Sequence, residues 1–174
     1  MKYIFVTMLL IANLFAVNNF DKGSKSYNKQ DYKNALKYWK LSAKEGDSHA
    51  QYGLGAIYYS GQGVKENKNE AYNWLLKSAK QGNSRAQYML GIMCDNGQGV
   101  KEDHKKAIKW YKLSAKQGNS NAQYNLGSMY YKGQGVKKNK IEAYNWLSKS
   151  ADQGNYYAKH DLNLFCKVNP KICK

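Results

Sequence analysis

Apolar side chains recur along the chain at helical spacing, and the whole pattern returns after 36 residues. The ten residues that begin at Ala43 return almost unchanged from Ala79 and from Ala115, and a degraded copy begins at Ala151. Sparse β-branched residues and a single proline favour helix over strand. A period of this size is typical of stacked supersecondary units, so we expect a helical repeat protein.

Each repeat predicts two helices, the first over about Asp47 to Ser60 and the second over about Lys68 to Lys80. Because one helix pair cannot bury its apolar face alone, neighbouring pairs must complete the core. The predicted apolar positions are Ala50, Leu54, Ile57 and Tyr58 on the first helix and Ala71, Trp74, Leu75 and Ala79 on the second.

Polar residues and glycines mark the predicted helix ends. Asn67 and Glu70 have the spacing of a capping box, in which each side chain bonds the other residue's amide, and Asn139 and Glu142 repeat it. Glycine can adopt positive φ and so terminate a helix. The predicted N-caps of the first helices are Asp47, Asn83, Asn119 and Asn155, and the terminating glycines are Gly46, Gly61, Gly63, Gly82, Gly118 and Gly154.

Glycine also recurs inside the first helices, at Gly55, Gly91 and Gly127. It costs about 1 kcal/mol relative to alanine there, which close approach of the partner helix at Ala71 would explain. Trp74 is then expected to fill the space between neighbouring units. The predicted fold class is all-α, a right-handed α-solenoid of antiparallel helix pairs.

The combination of Leu54-Gly55-x-x-Tyr58, Gly61-x-Gly63-Val64, Ala71-x-x-Trp74 and Ala79-x-Gln81-Gly82 resembles the Sel-one-like repeat (SLR), a relative of the tetratricopeptide repeat. Cys94 and Cys166 depart from it, since they replace tyrosine in the Tyr58 column. The later copies of the structural positions are Leu90, Gly91, Gly97, Gly99, Ala107 and Trp110, then Leu126, Gly127, Tyr130, Gly133, Gly135, Ala143 and Trp146.

The chain therefore divides into four expected parts. Residues 1–16 have the short basic start, apolar run and small final residue of a secretory signal peptide, with an uncleaved membrane anchor as the alternative. Residues 17–46 form a divergent leading helix pair, residues 47–154 three full SLR units, and residues 155–174 a partial unit with a C-terminal cap. The signal segment predicts an exported protein, periplasmic or secreted.

The cysteines suit such a compartment. Cys166 and Cys173 flank a short segment containing Pro170, and in an oxidising compartment they could close a disulfide loop. By lowering the entropy of the unfolded chain, such a disulfide would stabilise the fold by about 2.5 kcal/mol. Cys94 is interpreted as a buried thiol, with a metal site as the alternative, although no second ligand has suitable spacing.

No catalytic motif accompanies the three histidines His49, His104 and His160, and His104 is expected to be solvated at a helix start. Gly61-Gln-Gly63-Val lacks the third glycine and the preceding strand of a dinucleotide fingerprint. We therefore expect no enzyme, no cofactor and no metal. A weak hydrolase or a protein that binds cell-wall fragments on the same scaffold is the alternative.

The formal net charge is +16, or +15 once Lys2 is removed with the signal segment. A solvated outer face explains lysines on the second helices, and an anionic partner such as membrane lipid or an acidic protein is the alternative. Export from the cytoplasm argues against a nucleic-acid partner. The lysines that point to this surface are Lys68, Lys77, Lys80, Lys105, Lys109, Lys116 and Lys149.

The resemblance implies that first helices line a concave face where a protein or peptide binds. The alternative for Tyr52, Tyr88 and Tyr124 is packing between units, whereas the column of His49, Arg85, Asn121 and Tyr157 varies and so suits a ligand. The expected protein is a monomeric interaction scaffold, in envelope complexes or in contact with a host. The predicted groove residues are His49, Tyr52, Ala56, Tyr59, Arg85, Tyr88, Ile92, Asp95, Asn121, Tyr124, Ser128 and Tyr131.

Overall fold

The computed structural model describes residues 19–173, and within that range all regular secondary structure is helical. The segment predicted as a signal peptide, residues 1–16, lies outside the described residues. None of the helices described is both long enough and apolar enough to span a bilayer. The helices are α1 (residues 19–28), α2 (Tyr32–Lys44), α3 (Ser48–Ser60), α4 (Lys68–Lys80), α5 (Ser84–Asp95), α6 (His104–Lys116), α7 (Ser120–Lys132), α8 (Lys140–Asp152) and α9 (Tyr156–Val168).

The chain divides into two compact units, the first ending at Ala86 and the second beginning at Gln87. In the first unit, α2 and α3 bury a core that includes Leu36, Trp39 and Leu54. A Cβ atom at Gly55 would lie 2.6 Å from Leu75 Cγ, which is closer than packed atoms approach. The glycine inside α3 therefore lets α4 lie directly against it, as the sequence predicts.

The second unit repeats this contact twice. A Cβ atom at Gly91 would overlap the Tyr111 ring, and one at Gly127 would lie 2.9 Å from Leu147 Cγ. Tyr111 and Leu147 are both buried. The helix-interior glycines are thus matched to one large residue on each second helix.

In α4 the large residue that contacts the glycine is Leu75 and not Trp74, the residue expected from the sequence to fill the space between units. Trp74 and Trp146 are only half-buried, and their indole N–H groups donate to Glu70 Oε1 at 2.7 Å and to Glu142 Oε2 at 3.1 Å. The next residue along, Leu75 in α4, is fully buried instead. The tryptophans therefore lie at the edge of the core, where Trp74 packs against the buried residues of α2 and α3.

The predicted capping boxes are only half formed. Asn67 Oδ1 accepts from the Glu70 amide at 3.0 Å, which is one half of the box. The other half is absent, because the Asn67 amide donates to the carbonyl of Tyr58 at 2.9 Å and Glu70 serves Trp74. The Asn139 amide likewise donates to a backbone carbonyl, that of Tyr130.

Buried glutamines tie the repeats together. Gln51 Nε2 donates to the carbonyl of Ala43 at 3.2 Å, and Gln51 Oε1 accepts from Gln81 Nε2 at 2.8 Å. In the second unit Gln123 repeats both contacts, with Ala115 and Gln153. No buried side-chain polar atom among the described residues lacks a hydrogen-bond partner.

The chain ends in a short covalent loop after α9. Cys166 and Cys173 form a disulfide with a Cα–Cα distance of 5.6 Å. The loop follows α9 where a further second helix would begin in a complete repeat. Cys94 is not part of a disulfide and is buried in the second unit.

Candidate functional site

The second unit contains an open pocket between α7, α8 and α9, with a volume of about 350 Å³. Nine side chains line it, and four of them belong to α9, the last of the described helices. The lining residues are Tyr124, Ser128, Tyr131, Lys132, Leu147, Asp161, Leu164, Phe165 and Val168.

The inner wall of the pocket is apolar and fixed by packing. Leu147 and Phe165 are buried, and the Tyr131 ring meets Phe165 edge-on with centroids 5.6 Å apart. The outer wall is open, since Leu164 is 49% exposed and Val168 is 68% exposed. A large apolar side chain from another molecule could therefore cover α9 surface that the chain itself leaves uncovered.

Polar groups of opposite charge border this apolar wall. The Tyr124 hydroxyl donates to Asp161 Oδ2 at 3.0 Å, and His160 Nδ1 lies 3.1 Å from Asp161 Oδ1. Burial raises the pKa of Tyr124, and the hydrogen bond to Asp161 raises it further. The hydroxyl thus stays protonated and keeps Asp161 oriented, while Lys132 supplies a positive charge to the same lining.

Three predicted groove residues of the second unit line this pocket, namely Tyr124, Ser128 and Tyr131. Nearby, Asn121 Oδ1 accepts from Asn155 Nδ2 at 2.9 Å, and the exposed Tyr157 ring lies 6.1 Å from Tyr124. Sequence reasoning missed the contribution of α9. The signal was present in its unpaired apolar residues, which the interpretation as a partial unit left without a role.

The other predicted residues of the second unit occupy a different place. Tyr88 lies 6.1 Å from the buried Tyr111 ring, and Ile92 is half-buried. Asp95 Oδ1 lies 2.7 Å from His104 Nδ1, and Glu102 is 3.3 Å from the other ring nitrogen. His104 begins α6 as predicted and its side chain remains 34% exposed, but it also contacts Asp95 at the end of α5.

Asp95 also acts on the buried tyrosine of this region. Burial is the main cause that raises the pKa of Tyr111, and the negative charge of Asp95 adds to it. A neutral hydroxyl at Tyr111 suits a packing residue. Asp95 and His104 therefore form a hydrogen-bonded pair beside the core.

In the first unit the predicted residues differ in exposure. His49 is exposed and its ring lies 5.7 Å from Phe20, while Tyr52 and Ala56 are half-buried. The Tyr59 ring holds Lys68 Nζ at 3.6 Å from its centroid. Arg85 is exposed near the end of this unit. Among the residues that the structure describes, no group of three His, Cys, Asp or Glu side chains is arranged to hold a metal ion.

Comparison with known proteins identifies the repeats. The sequence model described as Sel1 repeat matches residues 22–47, 48–83, 84–119 and 120–155. The match places the repeat boundaries at the helix pairs and covers well over half of the chain.

Solved structures and a curated relative agree. The chain is 34% identical to a protective antigen of uropathogenic Escherichia coli with an SLR fold, covering 84% of this chain and 32% of that one, at a TM-score of 0.82. A Sel1 repeat protein from Oxalobacter formigenes is 32% identical, with 82% and 59% covered and a TM-score of 0.78. A putative sel1-like repeat-containing protein of Acanthamoeba polyphaga mimivirus is 53% identical over 38 residues, 22% of this chain and 6% of that protein. The chain thus spans less than two thirds of each of these proteins.

Proposed function

Since the chain belongs to the Sel1 repeat family, we propose that it is an exported scaffold that binds a peptide segment of another protein. Proteins of this family are generally protein-interaction scaffolds and generally not enzymes. The proposed site is the pocket between α7, α8 and α9, which we call the α7–α9 pocket.

The observation that carries this proposal is the open apolar wall of the α7–α9 pocket. Leu164 and Val168 stand exposed beside the buried Phe165, and the volume of about 350 Å³ suits one or two large side chains. Tyrosine adds contact area with a polar tip, which suits peptide recognition. Tyr124 and Tyr131 provide this on the α7 side.

The proposed occupant is a peptide with a large apolar side chain and polar neighbours. Burial of such a side chain contributes about 1.5–3 kcal/mol. Asp161 and Lys132, of opposite charge, would fix its direction by pairing with backbone groups or charges of the peptide.

Export is part of the proposal. The Cys166–Cys173 disulfide supports it, because disulfides persist in oxidising compartments and are rare in the cytoplasm. The leading segment, residues 1–16, has the composition of a signal peptide. We propose a periplasmic or secreted monomer, with residues 17–46 as a divergent leading pair, 47–154 as three full repeats and 155–174 as a partial unit with its cap.

The test begins with a phage-displayed peptide library selected on the purified protein. Peptides with an aromatic or leucine anchor should be enriched, and Ser128→Trp should abolish their binding because the indole would fill the α7–α9 pocket. Asn145→Trp, an exposed change on α8, is the matched control and should leave affinity unchanged.

A second variant separates this pocket from the variable column. His49→Ala, Arg85→Ala and Asn121→Ala together should weaken selected peptides far less than Ser128→Trp does. If the triple variant abolishes binding while Ser128→Trp retains it, the site lies elsewhere on the first helices and the α7–α9 pocket is the wrong assignment.

An anionic surface is a second partner in this proposal. The net charge of +16 favours it, since such a charge attracts anionic partners at long range. Binding of this kind should weaken strongly as salt rises, whereas peptide binding in an apolar pocket should depend much less on salt.

A further inference from the structure

The outer faces of α2 and α6 carry the same stripe of lysines. Four lysines in each helix follow the spacing i, i+4, i+7 and i+11, which places them along one side of an α-helix over roughly 16 Å. We call these faces the lysine stripes. Their residues are Lys33, Lys37, Lys40 and Lys44 on α2, and Lys105, Lys109, Lys112 and Lys116 on α6.

The positive charge of the lysine stripes is not neutralised by ion pairs. Neither α2 nor α6 contains an acidic residue, and no stripe lysine forms an ion pair with a carboxylate among the described residues. The nearest negative charges are the N-cap aspartates: Asp31 interacts electrostatically with Lys33, and Asp103 lies 3.5 Å from Lys106, which is off the stripe. By contrast, α8 carries Glu142 and Asp152 against its lysines. The charge is therefore concentrated on two of the four second helices.

Apolar side chains lie beside each stripe. Leu41 is 43% exposed and Leu113 is 45% exposed, each following a stripe lysine by one residue. Tyr38 and Trp110 stand one turn earlier on the same side and are half-buried. Nothing in folding requires an exposed leucine there, because the core side of each helix is already filled by Trp39 or Tyr111.

We infer that each lysine stripe binds the surface of a bilayer containing anionic phospholipid. Phosphate groups would pair with the lysine ammonium groups, and Leu41 or Leu113 would enter the boundary between headgroups and acyl chains. A basic helix face with an apolar residue among the lysines is the pattern of peripheral membrane contact. This inference rests on the anionic surface named in the proposed function and specifies its chemistry. It does not depend on the α7–α9 pocket.

The leucines decide between a bilayer and a soluble acidic polymer. A polymer would pair with the ammonium groups and gain little from an exposed leucine, whereas a bilayer accommodates both. A tyrosine or tryptophan at the edge of the stripe also suits the headgroup level, where these rings concentrate.

The test measures partition of the full chain onto sedimented vesicles of phosphatidylcholine with or without one quarter phosphatidylglycerol. Removing three exposed stripe lysines from either helix should lower partition onto the anionic vesicles about 5- to 10-fold, because each lysine near such a surface contributes substantially. The two stripe variants are K33Q/K37Q/K44Q and K105Q/K109Q/K116Q, and the matched control with equal charge loss is K137Q/K159Q/K171Q.

The control variant should change partition less than about 2-fold, since its lysines are exposed but lie off the stripes. An equal loss in the control and the stripe variants would show attraction by net charge alone and overturn the assignment. The apolar residues 1–16 are common to all variants, so any contribution from them cancels in the comparison.

Leu113→Ser tests the bilayer directly. It should lower partition onto anionic vesicles about 3-fold and leave binding to soluble polyglutamate unchanged. If it leaves vesicle partition unchanged, the stripe binds acidic polymers and the bilayer assignment is wrong. The stripe variants should keep the affinity of selected peptides for the α7–α9 pocket, so failure of one proposal is distinguishable from failure of the other.

Discussion

The second helices of the repeats are of two kinds, which alternate along the chain. In α2 and α6 the residue that packs toward the core is aromatic, Trp39 or Tyr111, whereas in α4 and α8 it is Leu75 or Leu147. The positions of α2 return in α6, 72 residues later. The chain therefore repeats in pairs of repeats as well as singly.

The outer faces and the caps differ in the same alternation. Asp31 and Asp103 cap α2 and α6, and asparagines cap α4 and α8. In α4 and α8 a glutamate holds the tryptophan indole, whereas Trp110 in α6 follows Lys106 at the equivalent position. Both kinds build the same helix pair. The difference thus teaches that folding leaves the outer face free, and that face is available for function.

The largest expected effect comes from replacing the glycines that contact the two kinds of second helix. Gly91→Ala should lower the free energy of unfolding by about 2 kcal/mol, because its Cβ would overlap the rigid Tyr111 ring. Gly127→Ala should lower it by only about 1 kcal/mol, since its Cβ would lie 2.9 Å from Leu147 Cγ and 3.1 Å from the Leu147 backbone nitrogen, a looser contact than the one with the Tyr111 ring, and alanine favours the helix. Urea denaturation followed by circular dichroism measures both. Equal losses would mean that the aromatic and leucine contacts are equivalent.

A second change should convert one kind of contact into the other. Tyr111→Leu combined with Gly91→Ala should be less destabilising than the sum of the single changes by about 1 kcal/mol, because leucine leaves room for the added methyl group. The double-mutant cycle is measured by the same denaturation. Additive losses would place the strain of Gly91→Ala elsewhere than at Tyr111.

A smaller effect is expected on the outer face. Glu142→Ala should lower the free energy of unfolding by about 1 kcal/mol, because the Trp146 indole loses its charged acceptor. Lys106→Ala, at the equivalent position of α6, should cost less than Glu142→Ala does, since its pair with Asp103 is exposed. Thermal unfolding of both variants tests the difference, which a larger loss for Lys106→Ala would contradict.

The smallest expected effect is on the pH dependence of stability, to which an aspartate N-cap contributes and an asparagine N-cap does not. The Lys106 amide donates to Asp103 and lowers the pKa of that carboxyl below its ordinary 3.8. A lowered pKa in the folded state means that the stabilisation is complete above the unfolded value and is lost as pH falls through the folded value. Asp103→Asn should therefore weaken the loss of stability between about pH 5 and pH 2.

The reciprocal change provides the control for that acid titration. Asn139→Asp should add a pH dependence to α8 over the same range, because an aspartate cap there would accept from the Glu142 amide. Unfolding midpoints at each pH are the measurement. Parallel pH curves for the wild type and both variants would show that the caps are not the titrating groups.

The helix bounds were predictable because every repeat carries its own caps and turn glycines. In the structure α3 ends at Ser60, as predicted, and begins at Ser48, one residue later than predicted. Which of Trp74 and Leu75 is fully buried was not predictable, since the two lie about 100° apart on the helix and both border the apolar side. Only the fold shows that Glu70 holds the indole at the edge.

The candidate site was predictable in part for a similar reason. Tyr124, Ser128 and Tyr131 follow from the position of α7 in its repeat, so sequence reasoning found them. The contact between Asp95 and His104 crosses a loop, and no helical spacing reports it. Phe165 and Leu164 were missed because no second helix follows α9 among the described residues, so α9 has surroundings that the earlier copies lack.

The Cys166–Cys173 loop has a consequence for how the pocket responds to its surroundings. Cys166 lies within the α9 segment that also carries Phe165 and Val168, so one covalent link fastens the end of the helix that forms the pocket's outer wall. A thiol reductant would release that end and loosen the wall without touching the earlier repeats. The peptide capture proposed for the α7–α9 pocket would thereby depend on the redox state of the compartment, being stronger in an oxidising compartment than in a reducing one.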